Sequence, residues 1–421
     1  MSTQKNATTY NMVIGDDIGN GCVKGCISVN GGNPECFDFQ SVVAYDRKSK
    51  KSVVNDADIK YVIDDIFNHM EVSFNTSATS TDVSSSMHYL IGEAALSKGF
   101  ISEFDMNSGK SKADDDISIM LTLSSIAGKA LQTYFNENNK IPEEVLSVNG
   151  TITLALPIAE YVKGGDETYK RKLLNPEQSE HIVTIHNFQV PVTVKIVFSK
   201  VAVFAEGSAA QFAINSFDLN ILESMLDETR QNGMNINGIT SKHIVEAENT
   251  IGIDIGDGTV NFPVFTDGKF DNNRSSSING GHGKILEEAV EDLEENFNMP
   301  FRSRKELSSF LNNPPAPDAA PTKINRYNLV AEVVENHEIE LTKAIAKKLH
   351  DIKRQMPQLE AIFVYGGGAT PVKKYLFPRL IDCATIGDTS DMIPVLYMDS
   401  NYSRFLNRQG LFTVANVIAN A

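Results

Sequence analysis

Apolar residues along the chain fall into short blocks, and two of these blocks lead into the same kind of turn. Met12–Ile14 and Thr250–Ile253 have the composition of β-strands. The turns that follow read Asp17-Ile18-Gly19-Asn20-Gly21 and Asp254-Ile255-Gly256-Asp257-Gly258-Thr259. Because glycine adopts backbone conformations closed to other residues, such turns can point main-chain N–H groups at an anion. Two copies in one chain predict a duplicated fold with two phosphate-binding hairpins.

Strand and helix patterns alternate through the rest of the chain. Apolar residues at helical spacing predict helices over Ile117–Phe135 and Asn328–Arg354, and a further helix is expected from about Glu206. The apolar run Ala361–Tyr365 predicts a buried strand, and Gly366-Gly367-Gly368-Ala369-Thr370-Pro371 follows it. A helix that begins at Pro371 would offer unpaired N–H groups to a ligand.

Length and composition favour a water-soluble protein of two domains. The chain has 421 residues, of which 41% are hydrophobic and 22% charged, and chains of this length usually divide into more than one core. The sequence contains no run of about 18 apolar residues, the length needed to span a bilayer. The N-terminus is polar and lacks the layout of a secretory signal. We therefore expect a cytoplasmic protein without membrane attachment.

The net charge and the cysteine content limit which partners and metal sites are expected. The formal net charge of −16 argues against direct binding to DNA, since such binding depends on lysines and arginines that displace counterions. Any contact with DNA would then need an adaptor protein. The cysteines are Cys22, Cys26, Cys36 and Cys383. Because they show no paired CxxC spacing, we expect buried, reduced thiols and no metal site.

The order of the three glycine segments resembles that of the actin-like ATPase superfamily, from Asp17 to about Gly410. The resemblance implies an α/β fold of the duplicated actin/Hsp70/hexokinase type. Two halves, each with a mixed five-stranded sheet and flanking helices, would hold a nucleotide in the cleft between them. The first half would span 1–205, with a small subdomain inserted at about 37–96. The second would span 206–400, with a small subdomain at about 282–345, and a C-terminal helix over 401–421 would return to the first half.

Three further segments resemble the plasmid-partition actins of the ParM and Alp type. They are TLALPIAEYVKGG (Thr153–Gly165), KVAVFAEGSAAQF (Lys200–Phe212) and YMDSNYSRFLNRQGL (Tyr397–Leu411). The chain departs from this family in a Ser/Thr-rich insertion before Met87 and a Pro/Ala-rich loop at Asn312–Pro321. These departures lie where subunit and adenine contacts would be expected.

The resemblance also implies roles for individual residues. Asp17 and Asp254 would hold the water shell of a Mg²⁺ ion and support catalysis, and Glu206 would orient the water that attacks the γ-phosphate. The phosphate contacts would be Gly19, Asn20, Gly21 and Lys24 from the first segment and Gly256, Asp257, Gly258 and Thr259 from the second. The adenosine contacts would be Gly367, Gly368 and Thr370, together with Lys305 and Glu306 on a facing helix.

Several of these assignments have a structural alternative. Lys24 could be a solvated strand residue, and Asp257 could cap the backbone of its own turn. Glu206 could be a carboxylate that favours a helix dipole. Lys305 and Glu306 could form a solvated helix face.

The resemblance implies an ATPase that forms head-to-tail filaments, with GTP as an alternative nucleotide, and that moves or positions plasmid DNA through an adaptor. A phosphotransferase of the sugar-kinase class is the main alternative, since it shares the fold and the phosphate loops. It would need a substrate loop that bears a catalytic base, and no Asp-bearing segment outside the hairpins suits that role.

Overall fold

The computed structural model describes residues 8–46, 54–98, 101–104, 110–385 and 392–421. These residues form two compact units. One unit contains the chain up to Ala213 together with Asn407–Ala421, and the other contains Ile214–Leu406. Each unit has its own sheet. The domain and subdomain bounds expected from the sequence stay predictions.

A single mixed sheet organises the first unit. Its strands are β1 (Thr8–Ile18), β2 (Cys22–Val29), β3 (Glu35–Gln40), β4 (Val43–Asp46), β5 (Glu71–Asn75), β6 (His88–Ile91), β7 (Leu146–Leu156), β8 (His181–Ile185) and β9 (Val192–Ala205). Within the described residues they form nine strands in the order β3-β2-β1-β7-β9-β8-β5-β6-β4. β7 lies parallel to both β1 and β9. The predicted five strands are too few, because β8 pairs with β9 and continues the sheet into β5, β6 and β4.

The helices of the first unit pack around this sheet. They are α1 (Ile59–Asp64), α2 (Ile66–His69), α3 (Glu93–Leu96), α4 (Asp116–Asn138), α5 (Ile158–Tyr161), α6 (Gly165–Leu174) and α7 (Ala210–Ile214), and a 3-10 turn at Asp56–Asp58 precedes α1. The helix predicted at Ile117–Phe135 is confirmed as α4, which begins where the Asp115 side chain accepts a hydrogen bond from the N–H of Ile117. It ends at Asn139 in the left-handed conformation. Nearly every side chain from Ile117 to Leu131 is buried, so α4 is the central helix of the core.

The second unit is built on a smaller sheet. Its strands are β10 (Thr250–Ile255), β11 (Thr259–Phe262), β12 (Val264–Thr266), β13 (Lys269–Phe270), β14 (Ser276–Asn279), β15 (Ala361–Tyr365) and β16 (Val395–Tyr397). In the described part of the chain this sheet has seven strands, again more than the predicted five. One reason is Pro263, which has no N–H and divides β11 from β12 although both pair with β10 in the same register. β15 lies parallel to β10 on its other side.

Two helices of the second unit begin earlier in the sequence than predicted. The helices of this unit are α8 (Leu219–Gln231), α9 (Ser241–Glu246), α10 (His282–Phe297), α11 (Arg304–Leu311), α12 (Pro321–Lys353), α13 (Ala369–Ala384) and α14 (Ser400–Ser403). α12 begins at Pro321, well before the predicted Asn328, because proline suits the first helical position. α13 begins at Ala369. Pro371 therefore lies within the first turn, where its missing N–H has no partner to lose.

The last helix, α15 (Leu406–Asn420), packs against the first unit through two glycines. A Cβ atom on Gly15 of β1 would collide with the backbone of Phe412, and one on Gly410 would collide with the carbonyl oxygen of Ala209. The hydroxyl of Thr153 donates to the carbonyl oxygen of Leu411 at 2.7 Å. The helix backbone therefore lies directly on β1, β7 and the turn after β9.

The cysteines differ from the sequence prediction. Cys26 and Cys36 face each other across β2 and β3 and form a disulfide, whereas Cys22 and Cys383 are half-buried and lie outside this disulfide. The prediction of four buried, reduced thiols is therefore wrong for the bonded pair. The two residues are separated by 10 positions in the sequence, and the antiparallel register sets them opposite each other. In the described part of the chain, no helix is long and apolar enough to cross a membrane.

We predict that Gly410→Ala destabilises the first unit. The added methyl group has no space beside Ala209, and overpacking of this kind usually costs about 1–3 kcal/mol. The measurement is the free energy of unfolding in urea. Val417→Ala is the matched control, because Val417 lies on the same helix with 65% of its surface exposed and should change stability by less than about 0.5 kcal/mol. Equal stability of Gly410→Ala and the wild type would contradict the described packing.

Candidate functional site

The first glycine turn is a tight hairpin between β1 and β2. The N–H of Gly19 donates to the carbonyl oxygens of Asp17 and Cys22, at 3.0 and 3.2 Å. The hydroxyl of Ser41 donates to the carbonyl oxygen of Gly19 at 2.6 Å. A Cβ atom at position 19 would lie 2.7 Å from the oxygen of Cys22. The turn therefore requires glycine and is held in place from the segment between β3 and β4.

The structure brings Asp17 and Lys24 together at this hairpin. They are cross-strand partners in the register of β1 and β2, and Lys24 Nζ lies 3.5 Å from Asp17 Oδ2. Their side chains are 16% and 8% exposed, so both charges are largely removed from water. A largely buried carboxylate and ammonium beside a glycine turn suit a ligand that carries both phosphate and a metal ion. The alternative of a solvated Lys24 is not supported by this burial.

Asp16, the neighbour of Asp17, has a different environment. Successive strand residues point to opposite faces, and Asp16 is completely buried, with a hydrogen bond of 3.3 Å from the hydroxyl of Ser125 on α4. Burial raises the pKa of the Asp16 carboxyl group well above its usual value. Asp16 is therefore part of the polar packing between β1 and α4.

The second glycine turn connects β10 and β11. The N–H of Gly256 donates to the oxygen of Thr259 at 2.9 Å, and the N–H groups of His282 and Lys284 donate to the oxygens of Gly256 and Asp257. The start of α10 therefore lies against this turn. Asp254, at the end of β10, is 5% exposed.

Arg304 is a contact of this hairpin that the sequence prediction missed. Its Nη1 atom lies 2.7 Å from Asp257 Oδ2 and 3.7 Å from Glu287 Oε1. The carboxylate of Asp257 thus has a cationic partner on α11. The alternative role considered for Asp257 was a cap on the backbone of its own turn. The only signal in the sequence was a cation at the start of a predicted helix.

Lys305 and Glu306, the predicted adenosine contacts, are exposed on α11. The Glu306 carboxylate accepts a hydrogen bond from the N–H of Arg302 at 2.7 Å, and the Ser303 hydroxyl accepts one from the N–H of Glu306 at 3.3 Å. The Ser303 hydroxyl thus caps the start of α11, and the Glu306 carboxylate reaches back to the residue before that cap. This arrangement gives Glu306 a structural role at the start of α11, and the role in adenosine binding stays a prediction.

The third glycine segment lies beside the second hairpin. Gly366 has a φ of 97°, and a Cβ atom there would lie 2.6 Å from Asp254 Oδ1. The N–H of Gly368 donates to the oxygen of Ile255 at 2.8 Å. Gly367 and Thr370 are exposed at the start of α13. Parallel pairing of β10 with β15 therefore places the second and third predicted segments at one edge of the sheet.

Glu206 lies in the turn that follows β9, before α7 begins at Ala210. The predicted helix start at Glu206 is wrong, because the strand continues to Ala205 and the N–H of Glu206 donates to the oxygen of Leu156 at 2.6 Å. The alternative role, that of a carboxylate favouring a helix dipole, loses its basis. Glu206 Oε1 instead lies 2.5 Å from Nζ of Lys112.

Lys112 is a second residue that the sequence prediction missed. It lies in the segment before α4 and is 5% exposed, whereas Glu206 is 13% exposed. Burial alone would lower the pKa of Lys112, but the nearby carboxylates of Glu206, Asp17 and Glu160 raise it above its usual value. Lys112 is therefore a buried, charged partner of the predicted water-orienting carboxylate.

The aspartate beside each glycine hairpin is a donor that suits a magnesium ion with a nearly complete water shell. Among the described residues no cluster of three or more His, Cys, Asp or Glu side chains could hold a metal ion alone. Each unit instead offers a largely buried aspartate, Asp17 or Asp254, beside a glycine hairpin. Mg²⁺ keeps most of its waters and takes few protein ligands when a phosphate ligand is present.

Comparison with known proteins shows which proteins the chain resembles. The model of the N-terminal domain of actin-like proteins matches residues 15–208. The chain has the actin-like fold. Bacillus thuringiensis ParM with ATP is 17% identical over 97% of this chain and 99% of that chain, with a TM-score of 0.60. The actin-like protein Alp7A is 16% identical over 98% and 97%, with a TM-score of 0.62.

An archaeal actin homologue, Ta0583, is 13% identical over 97% of this chain and 99% of that chain, with a TM-score of 0.59. No curated protein matches the chain. The resemblance to actin-like proteins inferred from the three glycine segments is thus confirmed. The segment that the family model matches, residues 15–208, includes the first hairpin, Lys112 and Glu206.

We predict that Arg304→Gln loosens the second hairpin. Loss of the ion pair with Asp257 should raise the amide hydrogen exchange of residues 256–259 by up to about fivefold, the scale of a partly exposed salt bridge. Exchange measured by mass spectrometry checks this. Lys305→Gln, at the exposed neighbouring position, is the matched control and should leave the exchange unchanged. Identical exchange in the two variants would show that Arg304 does not support the turn.

Proposed function

We propose that this protein is an ATP-dependent, filament-forming actin-like protein whose nucleotide hydrolysis controls filament turnover. We further propose that it segregates or positions plasmid DNA through an adaptor protein in the cytoplasm. The observation that carries the proposal is the repeated combination, one in each unit, of a glycine hairpin with a largely buried aspartate at the end of a central strand. Solved structures of Bacillus thuringiensis ParM with ATP, AMPPNP and ADP share the fold.

The two hairpins suit the phosphates of the nucleotide. Main-chain N–H groups around Gly19–Gly21 and Gly256–Thr259 would donate to phosphate oxygens, and Lys24 would neutralise part of their charge. Asp17 and Asp254 would hold waters of the bound Mg²⁺. The ion would supply charge neutralisation to the β- and γ-oxygens, with ATP preferred and GTP as the alternative nucleotide.

Glu206 is the proposed group for orientation of the attacking water. Phosphoryl transfer depends on positioning and charge neutralisation, and a carboxylate that accepts a hydrogen bond from water can align it for in-line attack. The backbone of Glu206 is fixed by its hydrogen bond to Leu156, and its side chain by Lys112. A residue so constrained is suited to hold a water in one orientation.

The adenosine would contact the third glycine segment. Gly367, Gly368 and Thr370 lie at the start of α13 beside the second hairpin, where helix N–H groups are available to a ligand. Lys305 and Glu306 would form an opposite wall, as the resemblance implies.

The proposals of a filament and of an adaptor to DNA rest on the family resemblance and on the net charge of the protein. A head-to-tail contact between copies would be heterologous and would extend without closing. The net charge of −16 disfavours a direct contact with DNA. A basic, DNA-bound adaptor would therefore complement the acidic filament.

We predict polymerisation that depends on the nucleotide. Purified protein with Mg-ATP should scatter light and pellet on centrifugation, whereas protein with ADP or without nucleotide should remain in the supernatant. Mg-GTP in a parallel sample tests the choice of base. Turnover of ATP without any polymer, accelerated by a sugar, would favour the sugar-kinase alternative and contradict the proposal.

We predict that Glu206→Gln separates assembly from disassembly. The variant should bind ATP and polymerise, but its phosphate release should slow by a factor on the order of 10²–10⁴, the usual contribution of a group that positions or activates a reactant. Its filaments should then persist after those of the wild type have depolymerised. Phosphate release and light scattering are followed in the same sample.

The control for this experiment is Glu167→Gln, which changes an exposed carboxylate of α6 in the same unit. Its kinetics should match those of the wild type. Wild-type rates of phosphate release in Glu206→Gln would remove Glu206 from the mechanism.

A further inference from the structure

We propose that Lys112 is a positioning residue, which fixes the carboxylate of Glu206 in the orientation needed for hydrolysis. This inference rests on the proposed function, since it assigns a partner to the water-orienting group. Lys112 lies in the segment just before α4, far from Glu206 in sequence, and no glycine motif points to it.

The contact between the two side chains is direct. Lys112 Nζ donates to Glu206 Oε1 at 2.5 Å, and the two side chains are only 5% and 13% exposed. A charge-assisted hydrogen bond with little water nearby is strong and directional. Separation would take an opposite charge away from each of two largely buried charges, which is costly. The position of the ammonium therefore dictates the position of the carboxylate.

The backbone segment that carries Lys112 is itself held in place by hydrogen bonds. The hydroxyl of Ser111 and the N–H of Lys112 both donate to Oε2 of Glu160 on α5, each at 2.8 Å. The hydroxyl of Ser118 on α4 donates to the carbonyl oxygen of Lys112 at 2.8 Å. From α6, Lys172 Nζ donates to the carbonyl oxygen of Ala113 at 2.8 Å. Three helices thus fix the segment independently of Glu206.

The neighbouring carboxylates show why Glu206 is the partner. Asp17 and Glu160 also attract the Lys112 ammonium, but each has a closer partner of its own. Asp17 pairs with Lys24, and Glu160 accepts the hydrogen bonds of Ser111 and the Lys112 backbone. The Lys112 ammonium is thereby directed to Glu206, and each acidic side chain at this edge of the sheet keeps a separate donor.

The test compares Lys112→Met with Lys112→Arg in steady-state ATP hydrolysis. Methionine keeps most of the aliphatic stem but removes the charge, so kcat should fall by about 10- to 100-fold, the scale of a misplaced reacting group. The KM for ATP should stay within about twofold, because Lys112 is not assigned to nucleotide binding. Arginine keeps the charge and should restore at least part of kcat.

Lys129→Met is the matched control. Lys129 is also a buried lysine, 3% exposed, and its Nζ atom lies 2.7 Å from Glu35 Oε2, away from Glu206. This variant should lose stability in a similar way but keep the wild-type kcat. If both methionine variants lower kcat equally, the effect of Lys112 is general destabilisation and the inference is wrong.

A double-mutant comparison decides whether Lys112 acts through Glu206. In the Glu206→Gln background, Lys112→Met should lower kcat no further, because its target is already removed. A further tenfold loss would overturn the inference. This comparison also serves if Lys112→Met alone fails to fold, since the double variant contains neither buried charge.

The wild-type control separates this inference from the proposed function. A wild-type protein that does not hydrolyse ATP would overturn both. Wild-type hydrolysis together with an unchanged kcat in Lys112→Met would overturn the positioning role alone.

Discussion

Parallel pairing of the central strands determines where the candidate site residues lie. In a parallel pair the carboxyl ends of the strands meet at one edge of the sheet. In the first unit, Asp16 lies beside Leu154 of β7, and Leu156 lies beside Ala205 of β9. Asp17 and Glu206 therefore emerge from the same edge, separated by two strand spacings, or about 10 Å. In the second unit, the register of β10 with β15 sets Asp254 beside Tyr365, directly before the third glycine segment.

Charged side chains at these edges are supported in pairs. Asp17 pairs with Lys24, Glu206 with Lys112 and Asp257 with Arg304. An isolated buried charge would be expensive, and a paired one restricts both side chains to one arrangement. These pairs position the carboxylates before any ligand arrives, which is the condition for electrostatic stabilisation of a reacting phosphate. The α15 helix adds rigidity beneath the first edge, because Gly15 and Gly410 allow its backbone to lie on β1 and on the turn after β9.

The local sequence was sufficient to predict the two hairpins, because each hairpin's strands and turn lie within a few residues of one another and the turn sets the register. Asp17 and Lys24 illustrate this: a tight turn between two strands makes them cross-strand partners. The same reasoning failed for Glu206. The alanines after it favour a helix, but the length of β9 is set by its pairing with β7, which the local sequence does not reveal.

Partners distant in sequence were beyond prediction for the same reason. Lys112 meets Glu206 across 94 positions and Arg304 meets Asp257 across 47, and one sequence gives no measure of such proximity. The disulfide between Cys26 and Cys36 depends on the register of β2 and β3. The extra strands of both sheets likewise depend on pairings between segments that are not adjacent in the chain.

Under the proposed function, the two glycine hairpins would bind the phosphates of a nucleotide. Calorimetric titration of the wild-type protein with ATP, ADP and AMP in the presence of Mg²⁺ is the decisive measurement, because the three ligands differ only in their phosphates. We expect one site per chain for ATP and ADP, with AMP binding at least about tenfold more weakly, since it lacks the phosphates that the hairpins and Mg²⁺ would contact. Equal affinities for all three nucleotides, or no binding of any, would contradict it.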